Sequence, residues 1–223
     1  MVRTVLIKRT FNMKHAYLNL VALCGALLLA APTFSQGPTF GLKGGLNYTN
    51  LAGLDADDNN ARVGFNAGVF ARTMPESPVG VQLELLYSTK GNRTTYNAFF
   101  GLVEQDVDFN LNYLELPVMA SIRVMDVVDF QIGGYAAYLL SGKVKTSGDL
   151  GSGSGEIDKS DFTSLDAGIV GGIGFNVGEN LQIGMRYLHG LVDVIDDSTL
   201  SAVVGDAQNR CLQVYLAVGV GGN

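Results

Sequence analysis

Residues 79–90 read VGVQLELLYSTK, with Val79, Val81, Leu83, Leu85 and Tyr87 alternating with Gly80, Gln82, Glu84, Ser88 and Lys90. Successive side chains of a β-strand point to opposite faces, so a period of two gives this stretch one apolar face and one small or polar face. The pattern recurs in both directions. Upstream, Phe40, Leu42, Leu46 and Tyr48 alternate with Thr39, Gly41, Lys43, Gly45 and Asn47 in 39–50, and Val63, Phe65, Ala67, Val69 and Ala71 with Arg62, Gly64, Asn66, Gly68 and Arg72 in 62–72. Downstream, strands are expected over 107–123, 129–141, 162–177, 181–191 and 210–220. The segment 107–123 carries Val107, Phe109, Leu111 and Tyr113 on one parity and Leu114, Leu116, Val118, Ala120 and Ile122 on the other, which predicts a bulge at Tyr113–Leu114. No 3.6-residue period is sustained beyond Pro38, so the expectation is all-β.

The second face chooses between two all-β architectures. A soluble sandwich or lipocalin-like barrel turns its apolar face inward and needs charges on the outer one. Here the other face is mostly glycine, alanine, serine, asparagine and glutamine, which suits a narrow, filled lumen. Most of the eight segments are about the 9–11 residues that a tilted strand needs to cross a bilayer. Their connections alternate long (51–61, 91–106, 142–161, 192–209) and short (73–78, 124–128, 178–180). Long loops outside and tight turns inside are the asymmetry of an outer-membrane barrel. The predicted fold is therefore an eight-stranded antiparallel up-and-down transmembrane β-barrel with both termini periplasmic.

Composition agrees. The chain has 223 residues, 47% apolar and 16% charged, too hydrophobic for disorder. A net charge of −6 disfavours nucleic acid as a partner. Arg3, Lys8, Arg9 and Lys14 precede the apolar run LVALCGALLLAA (20–31), the pattern of a secretory signal peptide over 1–35, with Met13 as an alternative start and the barrel domain at 36–223. Its removal leaves 11 basic and 21 acidic residues and one cysteine, Cys211, so neither an internal disulfide nor a cysteine-based zinc site is available. Cys211 is read as a small apolar strand residue.

The inward parity carries Lys43, Glu84, Glu115, Asp166 and Arg186, expected to meet as a structural charge network with hydrogen bonds to Gln82, Gln131, Tyr135 and Gln213. Burying one sign alone is costly, and eight strands leave an interior just filled by side chains. The acids of the long connections, among them Asp55, Asp57, Asp58, Asp196 and Asp197, read as solvated loop surface. Asp55, Asp57 and Asn59 have the spacing of a calcium loop, but Asn60 stands where the turn glycine belongs and no acid follows at the twelfth position. Glu84 and Glu115 sit mid-strand, away from any substrate-sized cleft, and His189 is the one histidine after the leader. No catalytic residue, cofactor or metal is expected.

The segments FGLKGGLNYTNL (40–51), VQLELLYSTKGN (81–92), LNYLELPVMASIRV (111–124) and LQIGMRYLHGLVDV (181–194) resemble the outer-membrane β-barrel domain family common in Bacteroidetes, sometimes called PorT-like. NYLELP (112–117) is the most specific of these runs. The resemblance implies an eight-stranded barrel, and one branch of the family is associated with protein secretion across the outer membrane. Members tend to end in an aromatic residue read by the barrel insertion machinery, whereas this chain ends LAVGVGGN. It also lacks tryptophan, so an aromatic girdle would rest on Tyr48, Tyr87, Tyr113, Tyr138 and Tyr187. The expected role is structural or interactive, among outer-membrane lipid, lipopolysaccharide and an envelope partner. An accessory subunit of a secretion or transport complex and a lipid-modifying barrel enzyme are the alternatives.

Overall fold

The computed structural model describes residues 38–52, 58–73, 78–98, 103–125, 127–148, 151–156, 163–178, 180–193 and 208–220. They form β1 (Thr39–Ala52), β2 (Asp58–Thr73), β3 (Val79–Ala98), β4 (Val103–Val124), β5 (Val128–Gly148), β6 (Gly153–Glu156), β7 (Leu165–Val177), β8 (Leu181–Asp193) and β9 (Gln208–Val220). Each of the eight long strands pairs antiparallel with its neighbours. The ring runs β1, β2, β3, β4, β5, β7, β8, β9 and closes through Phe40↔Val220 and the rest of the β1–β9 ladder. The short β6 adds to the loop end of β5, outside the ring. Closure removes free sheet edges, which a sheet surrounded by lipid requires.

Alternation along each strand divides the wall as a membrane barrel demands. Phe40, Leu42, Leu46, Val69, Leu85, Ile132, Ile169, Met185 and Leu216 point outward and are exposed, while Asn47, Asn66, Gln82, Ser121, Gln182 and Gln213 point inward and are buried. An even strand count brings the start of β1 and the end of β9 to the rim that carries the short turns. At that rim Gly178 takes a φ of 72° between β7 and β8, a conformation cheap only for glycine. Met125 takes a φ of 53° in the β4–β5 turn, where the Val127 amide donates to the Val124 carbonyl at 3.3 Å.

The structure corrects the sequence reading in three places. First, much of the expected loops 91–106 and 142–161 is strand, because β3, β4 and β5 run 20, 22 and 21 residues. Beyond the bilayer both faces of a strand meet water, so no apolar alternation marks its continuation. Second, β4 has no bulge at Tyr113–Leu114. Its odd positions Leu111, Tyr113, Glu115, Met119 and Ser121 all face inward. The register instead shifts opposite, from Asn112↔Ser141 to Tyr113↔Leu139, so Leu140 of β5 is the bypassed residue. Third, Tyr113 is buried and cannot join the girdle, whereas Tyr48, Tyr87, Tyr138 and Tyr187 are exposed on the outer wall.

The last two corrections share a cause. The lumen holds an apolar cluster of Leu111, Tyr113, Met119, Tyr135, Ala137, Leu139, Val170, Leu188 and Cys211. Apolar side chains at these positions therefore mark the inside of the barrel and not its lipid face. The expected signal segment 1–35 and the loop acids Asp55, Asp57, Asp196 and Asp197 lie outside the described residues, and Asp58 opens β2.

Candidate functional site: the lumen

Three layers of charge cross the interior. Nearest the short-turn rim, Asp129 of β5 accepts from Arg72 Nη1 at 2.9 Å, from Arg123 Nε at 2.9 Å and from Gln182 Nε2 at 2.8 Å. The register Arg123↔Asp129 places one of those cations directly opposite the carboxylate.

The middle layer joins β1, β3 and β8. Arg186 grips Glu84 with both arms of its guanidinium, Nη2 to Oε1 at 2.6 Å and Nη1 to Oε2 at 2.7 Å. Lys43 donates to the same carboxylate at 2.9 Å, and Gln82 donates to it as well. Arg186 Nε donates to Gln131 at 3.1 Å, and the Tyr215 hydroxyl donates to that same amide oxygen at 3.2 Å. The Tyr215 ring packs against both cations, its centroid 3.9 Å from Lys43 Nζ and 4.5 Å from the Arg186 guanidinium carbon. Space for this crowd comes from glycine. A Cβ on Gly172 would lie 2.7 Å from Arg186 Cγ, and one on Gly45 2.9 Å from Tyr215 Cβ. These belong to the glycine pairs 171–172 and 44–45, whose other members, Gly171 and Gly44, have room for a side chain.

The third layer lies toward the long connections. Lys90 Nζ sits 2.8 Å from Glu115 Oε2, close in distance but off the hydrogen-bonding direction, and 3.3 Å from Asp166 Oδ2. Asn209 donates to Asp166 at 3.0 Å, Tyr135 at 3.3 Å, and Gln213 donates to Glu115 at 3.3 Å. Lys90 also stands 4.5 Å above the Tyr135 ring.

The five residues read from the sequence as one network are thus divided. Lys43, Glu84 and Arg186 meet in the middle layer, whereas Glu115 and Asp166 meet in the third through Lys90. Sequence reasoning left out Lys90, which it placed at the end of its strand, and the layer of Arg72, Arg123 and Asp129. The signal for Lys90 was its even position in β3, shared with Gln82 and Glu84. Taking two charges out of water costs several kcal/mol per ion, so these pairs make burial tolerable and add little net stability.

The groups considered for chemistry fall elsewhere. His189 points to the outer wall, its ring 6.2 Å from that of Tyr187. Cys211 is buried in the apolar cluster. Among the described residues no group of three or more His, Cys, Asp or Glu is placed to hold a metal ion.

Several solved structures are similar to this chain at low identity. Neisserial surface protein A is 16% identical, with 82% of this chain and 98% of that one aligned at a TM-score of 0.48. Ail, the attachment invasion locus protein of Yersinia pestis, is 16% identical over 82% of this chain and 98% of its own, at 0.45. The outer membrane protein OprG from Pseudomonas aeruginosa is 11% identical over 83% and 95%, at 0.33. No curated relative matches the sequence. Residues 34–196 match the family model described as outer membrane protein beta-barrel domain, so the chain belongs to that family and is an eight-stranded barrel of the outer membrane.

Proposed function

We propose that this protein is a non-enzymatic interaction or anchoring barrel, closed to passage through its lumen, with its long-strand rim outside the cell and both termini in the periplasm. The observation that carries this reading is the pairing of the buried carboxylates: Glu84, Glu115, Asp129 and Asp166 each lie against at least one cation. A carboxylate committed to an ion pair in a filled interior is poorly placed to act on a substrate, and the same pairs fill the route an ion would take.

The outer half suits contact. Strands β3, β4 and β5 are roughly twice the 9–11 residues a tilted strand needs to cross. They therefore carry one side of the wall beyond the bilayer as a hydrogen-bonded surface, joined there by β6. A rigid surface of this kind binds a partner without first paying for its own ordering. The run NYLELP (112–117) supports the PorT-like reading of the family.

Three measurements test the reading. The refolded barrel in a planar bilayer should stay closed, and steady conductance would overturn the sealed lumen. Ser154→Cys, at an exposed position of β6, should react in intact cells with a membrane-impermeant maleimide, and protection there would reverse the orientation. Lipid hydrolysis by the purified barrel, abolished by His189→Ala, would favour the enzyme reading instead.

A further inference from the structure

The outer wall of a membrane barrel should be apolar through the bilayer and polar above it. On β2–β5 the transition is abrupt, and it is marked by cations in a chain that is acidic overall. Leu46, Val63, Phe65 and Tyr87 form an exposed apolar floor. Above it, toward the long connections, stand Arg62, Arg93, Lys143 and Lys145. Two hollows on this wall, of about 450 and 490 Å³, are lined by these residues, the first by Arg62, Arg93 and Lys145 and the second by the apolar floor with Arg62 and Lys143.

A break in the ladder makes the hollow. β2 and β3 pair at Ala61↔Asn92 and again from Asn66↔Ser88, with a register shift between. Thr89 spans the break, accepting from the Phe65 amide at 2.8 Å and donating to the Phe65 carbonyl at 3.2 Å. Arg62 Nη1 reaches the Lys90 carbonyl at 3.5 Å. Across β4 the register sets Lys143 opposite Asn110 and Lys145 opposite Asp108. Asp108 is engaged by Arg93, which donates to it at 2.6 and 3.0 Å. In register, Asp106 pairs with Thr95 and Glu156 with Lys143. Half-buried Arg62 thus lines both hollows, with exposed Lys143 beside the apolar floor and exposed Lys145 beside Arg93 and Asp108.

From Tyr87 to Arg93 is six residues, roughly 20 Å of strand and about 14 Å of height at a tilt near 45°. That span covers the headgroup layer beside the hydrocarbon. We infer that this groove binds a phosphorylated glycolipid of the outer leaflet, of the lipid A type, with acyl chain against Leu46, Val63, Phe65 and Tyr87 and phosphate against Arg62, Lys143 and Lys145. Charge complementarity selects this occupant: phosphate oxygens accept charge-assisted hydrogen bonds from guanidinium and ammonium groups alike, and an acyl chain matches the apolar floor beneath them. The inference rests on the orientation proposed above, which places this rim in the outer leaflet.

The test uses the refolded full barrel in dodecyl maltoside micelles with bisphosphorylated lipid A as the probe. Binding should weaken roughly tenfold or more in the triple variant Arg62→Gln/Lys143→Gln/Lys145→Gln, and by a similar factor when the probe is dephosphorylated lipid A. Arg210→Gln, an exposed cation of β9 outside the groove, should leave it within about twofold. A mobility shift between boiled and unboiled samples shows that each variant is folded. Unchanged binding by the folded triple variant overturns the site, and equal binding of the dephosphorylated probe overturns phosphate recognition. Inorganic phosphate that competes as well as the lipid overturns the lipid requirement. Protection of Ser154→Cys in cells, with micelle binding intact, would overturn the orientation and the outer-leaflet assignment while the groove itself stood.

Discussion

Two lysines lie in this lumen with almost no exposure, and their surroundings are opposite in kind. Lys43 shares the single carboxylate of Glu84 with Arg186, so two cations surround one anion. Lys90 stands between Glu115 and Asp166, so two anions surround one cation. Neither layer is neutral on its own, and each has one group on which the other two depend: Glu84 in the middle layer, Lys90 in the layer above. The difference shows that depth of burial does not set how much a charged residue matters. What matters is whether its removal leaves other charges without a partner.

Removing the shared group should therefore cost most. Glu84→Gln leaves Lys43 and Arg186 facing each other with neutral amides, at a cost of about 3–5 kcal/mol or more. Urea unfolding of the refolded barrel in micelles reads the loss, and a change below about 1 kcal/mol would show that water already screens this layer. Lys90→Met should follow closely in the same assay at about 3–5 kcal/mol. It should come out somewhat less severe, because a carboxylate has a neutral form available and a guanidinium does not. Lys43→Met is the decisive contrast. It keeps the volume and removes an equally buried lysine, yet Glu84 retains both arms of Arg186, so the loss should be near 1 kcal/mol. Equal losses for Lys43→Met and Lys90→Met would break the comparison.

The outer face of the same wall supplies an intermediate case. Leu216 is the central outward residue of β9, between Leu212, Val214, Val218 and Val220. Leu216→Arg puts an unpaired cation against hydrocarbon and should cost about 2–4 kcal/mol. Its place between the two lysine variants would show that an unpaired charge facing lipid and one facing the lumen are penalised on a similar scale.

What could be read in the sequence follows from what alternation encodes. A period of two assigns a face to each residue, which identifies the barrel and sets Lys43, Glu84 and Arg186 on one side of their strands. It does not say which charges meet. Glu84 and Arg186 are 102 residues apart in sequence, and their contact depends on the whole ring closing in one register. Nor does alternation distinguish lipid from an apolar lumen, so Leu111 and Tyr113 looked like outward residues and produced a bulge in the wrong strand. The extensions of β3, β4 and β5 left no trace, because polar residues on both faces of a solvated strand look like a loop.

The smallest effect is the control for all of these. Arg93 and Asp108 make a two-armed contact, like that of Arg186 with Glu84, but on the outer wall, where the Arg93 side chain is 56% exposed. Water solvates both ions when the pair is broken, so Arg93→Ala should cost only about 0.2–1 kcal/mol, and less as salt is added. The same fork in the lumen has no water to fall back on. If Arg93→Ala instead destabilised the barrel as much as Glu84→Gln, the geometry of the pair would be setting the energy, and the contrast between the lumen layers would have to be explained by something other than stranded charge.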